Sequence, residues 1–187
     1  MTLSVVEVMP ADLNDKIVSV GALAVLKLLV PKLAGFALTF IIVGVFWLAH
    51  HRMFNYIARS DETFLVLNLV FLIFIALMPF SIKFSVAGPY DSAAVVFYAT
   101  YMAATGLCLH VIWRYATHSR RLISQSVNDG VIKENLIRTA LSPTIFVLSI
   151  PAALVNVDLA RAMWLSLLLA TRIRVPGGAR RRVNDSA

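Results

Sequence analysis

Four long apolar runs organise the chain, each without a formally charged side chain: Leu33–Ala49, extended by His50 and His51, then Thr63–Ile82, Ser92–Trp113 and Thr139–Val157. A helix rises about 1.5 Å per residue, so about 20 apolar residues cross a hydrocarbon core about 30 Å thick. A weaker fifth run follows, from Leu159 to Arg174, where Arg161 and Arg172 can snorkel to opposite interfaces. The punctuation agrees with this division. Pro31 and Gly35 mark the first entry, Ser60-Asp61-Glu62 offers an acidic N-cap, Gly88-Pro89 breaks the chain before Asp91 and Ser92, and Asn128-Asp129-Gly130 is a turn signal. Pro79 and Pro151 fall inside apolar runs and predict kinks, their freed backbone groups satisfied by neighbouring helices.

The predicted architecture is an all-α, polytopic helical membrane protein with five complete spans, at 32–52, 62–83, 91–114, 139–157 and 159–175. Residues 1–187 form a single membrane domain: 11–31 an amphipathic segment on the outer surface, 176–187 a basic cytoplasmic tail. Composition strengthens this. Of 187 residues, 59% are apolar and 14% charged, and the mean hydropathy is +0.81. Soluble domains are about one-quarter charged, so an ordinary soluble enzyme, a disordered chain and a coiled coil are excluded. The lone Cys108 excludes a disulfide framework and any Cys-based zinc or iron–sulfur site.

A net charge of +7 would raise nucleic acid as a partner in a soluble protein. Here it is explained by loops, because Lys and Arg gather on the cytoplasmic side of membrane proteins. One side carries Arg52, Arg59, Arg114, Arg120, Arg121, Lys133, Arg138, Arg172, Arg174 and the tail's Arg180, Arg181 and Arg182; the other carries Lys16, Lys27, Lys32, Lys83 and Arg161. The first side is predicted to be cytoplasmic, with the C-terminus. Five spans then place Met1 outside, although the first 30 residues lack the basic n-region and cleavage site of a signal peptide. The expectation is a span missing upstream, with residues 1–10 as its outer end.

Candidate chemistry concentrates where the first run meets its loop. Trp47, His50 and His51 stand at i, i+3 and i+4, which predicts a shared helix face. One reading is an interfacial belt at headgroup depth. The other is a polar network in which the imidazoles bond a neighbouring helix, Gly44 permitting close approach. Asn68, between Leu67 and Leu69, reads as a structural interhelical hydrogen bond ahead of a ligand contact. His110, paired with His50 or His51, could hold haem or a metal. His118 with Arg120 and Arg121 reads as solvated loop. No hydrolytic His–Glu motif, phosphate loop, nucleophile elbow or carboxylate inside a span occurs. No catalytic residue, cofactor or metal site is expected.

At this cluster the chain resembles the transmembrane protein 175 family, an endolysosomal potassium channel and its bacterial relatives. The resemblance is carried by Phe36, Thr39, Phe40, Val43, Gly44, Trp47, His50, His51 and Phe54. It continues through Arg59, Asp61, Leu67-Asn68-Leu69 and Leu77-Met78-Pro79-Phe80. It implies a six-helix subunit, assembled as a homotetramer in the bacterial inner (plasma) membrane, around a potassium-permeable pore with an apolar constriction. It further implies that Trp47, His50, His51 and Asn68 support a pore-lining first helix, that most of this helix lies outside the sequence, and that Leu3 and Val6 belong to its outer end. The partners so implied are potassium ions, the lipid bilayer and further copies of the chain, with no nucleic acid. The alternatives are a haem-binding membrane redox subunit and a non-conducting scaffold or truncated relic.

Overall fold

A computed structural model describes residues 17–19 and 21–170. Among the described residues, five long helices follow one another: α1 Ala22–Phe54, α2 Glu62–Ala87, α3 Ser92–Thr117, α4 Asp129–Val155 and α5 Val157–Ala170, with a short 3-10 turn at His118–Arg120. Among the described residues the only extended pairing is one isolated antiparallel bridge, Ile57 to Ile123. The all-α architecture read from the sequence holds, and α1 to α4 are long and apolar enough to cross a membrane.

Several helix starts have side-chain caps, those at Asp61 and Asp91 as predicted and one at Asn128, which was read only as a turn. Asp61 accepts from the Phe64 N–H (2.9 Å), Asp91 from Ala93 (2.8 Å), and Asn128 from Gly130 (2.7 Å). These bonds satisfy backbone donors that have no partner within the helix. Pro79, Pro143 and Pro151 all lie inside continuous helices. The boundary expected at 31/32 is not a break: α1 starts at Ala22, after Gly21 in the left-handed region (φ 85°), and passes through Pro31. Likewise α4 starts ten residues before Thr139, and its early, charged turns carry the Glu134–Arg138 pair (2.7 Å). The described part of α5 has 14 residues, roughly 21 Å of rise.

Each helix packs chiefly against its neighbours in sequence, and α3 with α4 makes the most extensive contact. Half of the most apolar stretch of α3 is buried, against 12% of that of α1, so α3 is the centre of the bundle. Gly106 is the reason α3 and α4 can approach: a Cβ there would sit 2.9 Å from Pro143 Cδ and 3.3 Å from its nitrogen. At Gly44, expected to serve this purpose, a Cβ would meet nothing within 4 Å.

α5 is fastened at two depths. Trp164 donates its indole N–H to Ser149 Oγ (2.8 Å) and packs its ring against Tyr98 and Phe146. At the helix start, Arg161 donates to the Pro89 carbonyl and lies over the Tyr90 ring, tying α5 to the α2–α3 loop. Arg161 was expected only to snorkel.

Candidate functional site

Two linked arrangements occupy the end of the bundle where α1 meets α2. The first is an aromatic and imidazole joint. His50 Nε2 and Asn68 Oδ1 lie 2.7 Å apart, joining α1 to α2. Since the Asn68 oxygen is an acceptor, the imidazole donates from Nε2. The His50 ring stacks on Phe54 (4.1 Å between centroids) and Phe71 (5.3 Å), while Phe54 also packs on Phe64 (5.4 Å). Phe64 and Phe71 are buried. Asn68 therefore serves as the structural interhelical bond read from its position.

The predicted shared face divides in two. Trp47 and His51 stack on each other (5.1 Å, 11° between planes) and both are exposed, whereas His50 is turned into the joint. Helical geometry explains the split. At about 100° per residue, i and i+4 are about 40° apart, while His50 and His51 are about 100° apart. Trp47 and His51 thus form an aromatic step on the outward face of α1. Leu3 and Val6 lie outside the described residues.

The second arrangement joins the loop after α1 to the loop after α3. Ala58 and Arg59 both donate their N–H to the Leu122 carbonyl (2.8 and 3.2 Å), and Ser124 N–H donates to the Tyr56 carbonyl (3.3 Å). Asp61, already the cap of α2, accepts through Oδ2 from the Tyr115 hydroxyl (2.8 Å) and from Arg121 Nε (3.0 Å). The Arg121 guanidinium also lies 5.1 Å from the Tyr115 ring centroid. The Phe64 N–H, the Tyr115 hydroxyl and the Arg121 charge hold the Asp61 carboxyl below the usual carboxylate range, outweighing an opposing desolvation. Below this level, buried Trp113 donates to the Ile132 carbonyl (3.1 Å), and Arg120 reaches the Val127 carbonyl (2.8 Å) and Asp129.

This clasp was not read from the sequence. Asp61 was visible as a cap, but its partners stand 54 and 60 residues away. The available signal was chemical: a loop acid facing a second loop with an Arg pair.

His110 is engaged elsewhere in the bundle. His110 Nδ1 lies 3.0 Å from Thr139 Oγ1, on α4, so the imidazoles weighed as haem ligands engage different helices. Among the described residues, no three His, Cys, Asp or Glu side chains converge as a metal site.

Residues 1–79 match the family described as "Endosomal/lysosomal potassium channel TMEM175". A potassium channel of Streptomyces collinus is 26% identical over 136 residues, covering 71% of this chain and 66% of the relative. A potassium channel of Chamaesiphon minutus is 27% identical over 138 residues, 70% of this chain and 68% of that one. The Homo sapiens protein named endosomal/lysosomal proton channel TMEM175 is 30% identical over 104 residues, 56% of this chain and 21% of its own length. The chain thus spans about two-thirds of the bacterial relatives and about one-fifth of the human one.

Proposed function

We propose that this chain, a TMEM175-family protein by its match over residues 1–79, is a subunit of a potassium-permeable cation channel. The observation that carries this reading is the family match, seconded by two bacterial relatives that are named potassium channels. The subunit passes ions down their gradient and performs no enzymatic reaction. Passive flux is favoured because no Asp or Glu lies in the four uncharged runs, where a coupled transporter would place its relay. Conduction runs along a central axis of an oligomer, a homotetramer by the resemblance, and gating widens an apolar constriction that otherwise dewets. The protein lies in the cell membrane with its C-terminus cytoplasmic. The support for that orientation is the clustering of Arg on the loops at the clasp end.

Within this reading, the His50–Asn68 joint and the outward Trp47–His51 step give α1 two different jobs. The first fixes α1 on α2. The second offers an amphipathic aromatic surface against which a pore-lining helix can seat.

The name of the human relative favours one second reading, proton permeation through the same subunit. Purified full-length chain in potassium-loaded liposomes decides between them. A potassium channel gives potassium efflux, and a proton-sensitive dye reports uptake only after a protonophore supplies the counter-current. Dye quenching that needs no protonophore, and appears only when valinomycin lets potassium out as the counter-current, supports the proton reading. Ion flux no greater than in protein-free vesicles overturns both.

A further inference from the structure

At the clasp end of α3, Val111, Arg114, Tyr115, His118 and Arg121 line a groove of about 370 Å³. Its placement on the helix is informative. Leu107, Val111 and Arg114 stand at i, i+4 and i+7, one continuous face of α3, and His118 follows at its C-cap. That face is apolar where the helix lies in the membrane, with Leu107 52% and Val111 38% exposed, and becomes basic where it leaves. Arg121 reaches the same groove from the turn that follows, held in place by its Nε bond to Asp61 and its contact with the Tyr115 ring. That bond uses only one of the donor nitrogens of the guanidinium and leaves the terminal pair for another acceptor. Arg114 forms no ion pair among the described residues.

We infer that this groove is a binding site for an anionic membrane lipid, with the headgroup phosphate between Arg114 and Arg121 and an acyl chain along Val111 and Leu107. Charge complementarity selects the occupant. Two guanidiniums and an imidazole line the groove with no carboxylate among its lining residues, and the nearby Asp61 is turned to Arg121 Nε and Tyr115. Guanidinium is the side-chain group best matched to a phosphate, through paired N–H donors. The apolar strip below the basic pair distinguishes a lipid from a free anion, because only a lipid brings acyl surface to cover it. His118 and Arg121, which looked like solvated loop in the sequence, become headgroup contacts. The inference needs a membrane-spanning chain but does not depend on which ion the protein passes.

Native mass spectrometry of the full chain in detergent, supplied with equal amounts of phosphatidylglycerol and phosphatidylcholine, tests it. The wild type should retain phosphatidylglycerol preferentially. A basic residue near an anionic surface contributes enough for Arg114→Gln to reduce that retention roughly fivefold. Arg114→Lys should keep most of it, and Arg52→Gln, on a different helix, should leave it unchanged. Arg121 is left intact in these variants because it also holds the clasp.

Equal retention of the two lipids by the wild type overturns the inference, as does equal loss from Arg114→Gln and Arg52→Gln. Displacement of phosphatidylglycerol by millimolar inorganic phosphate makes the groove a free-anion site and overturns the lipid assignment. A concentration-dependent dimer that excludes phosphatidylglycerol assigns the face to a second copy and likewise overturns it.

Discussion

His50 and Asn68 show what a single polar contact does inside an apolar bundle. Both side chains are half-buried, and each supplies the other's hydrogen-bond partner across the α1–α2 contact. Interhelical hydrogen bonds in membranes contribute about 0.6–2 kcal/mol. Asn68→Ala should lower stability by about 1 kcal/mol. His50→Phe, which keeps a ring between Phe54 and Phe71, should lose a similar amount, and the double variant little more than either alone. Thermal unfolding in detergent supplies the double-mutant cycle, and additive losses would show that the two side chains do not act together. Asp61 makes a pH-dependent case. Its folded pKa is depressed, so its contribution is complete above the unfolded value, about 3.9, and disappears as pH falls through the lower folded value. Wild type should therefore be more stable than Asp61→Asn at neutral pH, with the gap closing on acidification below that window. A gap that stays constant with pH would remove the carboxylate's charge from the account of the clasp.

Among the elements, the α3–α4 contact is where sequence pattern and packing part company. Gly44 was read from the sequence as the residue of close approach, but it is Gly106 that has a backbone against it. Gly106→Val would press two methyl groups toward Pro143, and overpacking of this kind costs about 1–3 kcal/mol. Gly44→Ala should leave subunit melting within about 0.5 kcal/mol of wild type. Equal effects of the two would contradict the packing. The spans themselves were legible, because uncharged length is a local property: α2 and α3 follow the predicted 62–83 and 91–114 closely at their starts. The start of α4 was hidden, since Lys133, Glu134 and Arg138 make its first turns look like loop while an i, i+4 ion pair keeps them helical. Pro31 hid the start of α1, because a proline ends most helices in water but is tolerated in a span where neighbouring groups donate to the freed carbonyl. The clasp was least legible: no local pattern links Asp61 to Tyr115 and Arg121.

For the whole molecule, loop pairings give the sidedness that hydropathy alone leaves open. The α1–α2 loop and the α3–α4 loop share the Ile57–Ile123 bridge and the Asp61 clasp, so they lie at one end of the bundle. The α2–α3 loop meets the start of α5 through Arg161 and Pro89, at the other end. Alternate connections on alternate sides are what sequential membrane crossings require, and the basic residues divide along the same line. Arg52, Arg59, Arg114, Arg120 and Arg121 flank the clasp end, while Lys83 and Arg161 flank the opposite one. In the proposed orientation, which rests on the positive-inside bias, the clasp end is the cytoplasmic one. In a Cys108→Ala background, a cysteine at exposed Ser126 should react with a membrane-impermeant maleimide only after the cells are opened, whereas one at Tyr90, 82% exposed, should react in intact cells. Reversed labelling would invert the orientation yet keep the fold, because the two loop pairs would still lie on opposite sides. Labelling of both sites from one side would break the alternation, and with it the reading of α2 and α3 as successive crossings.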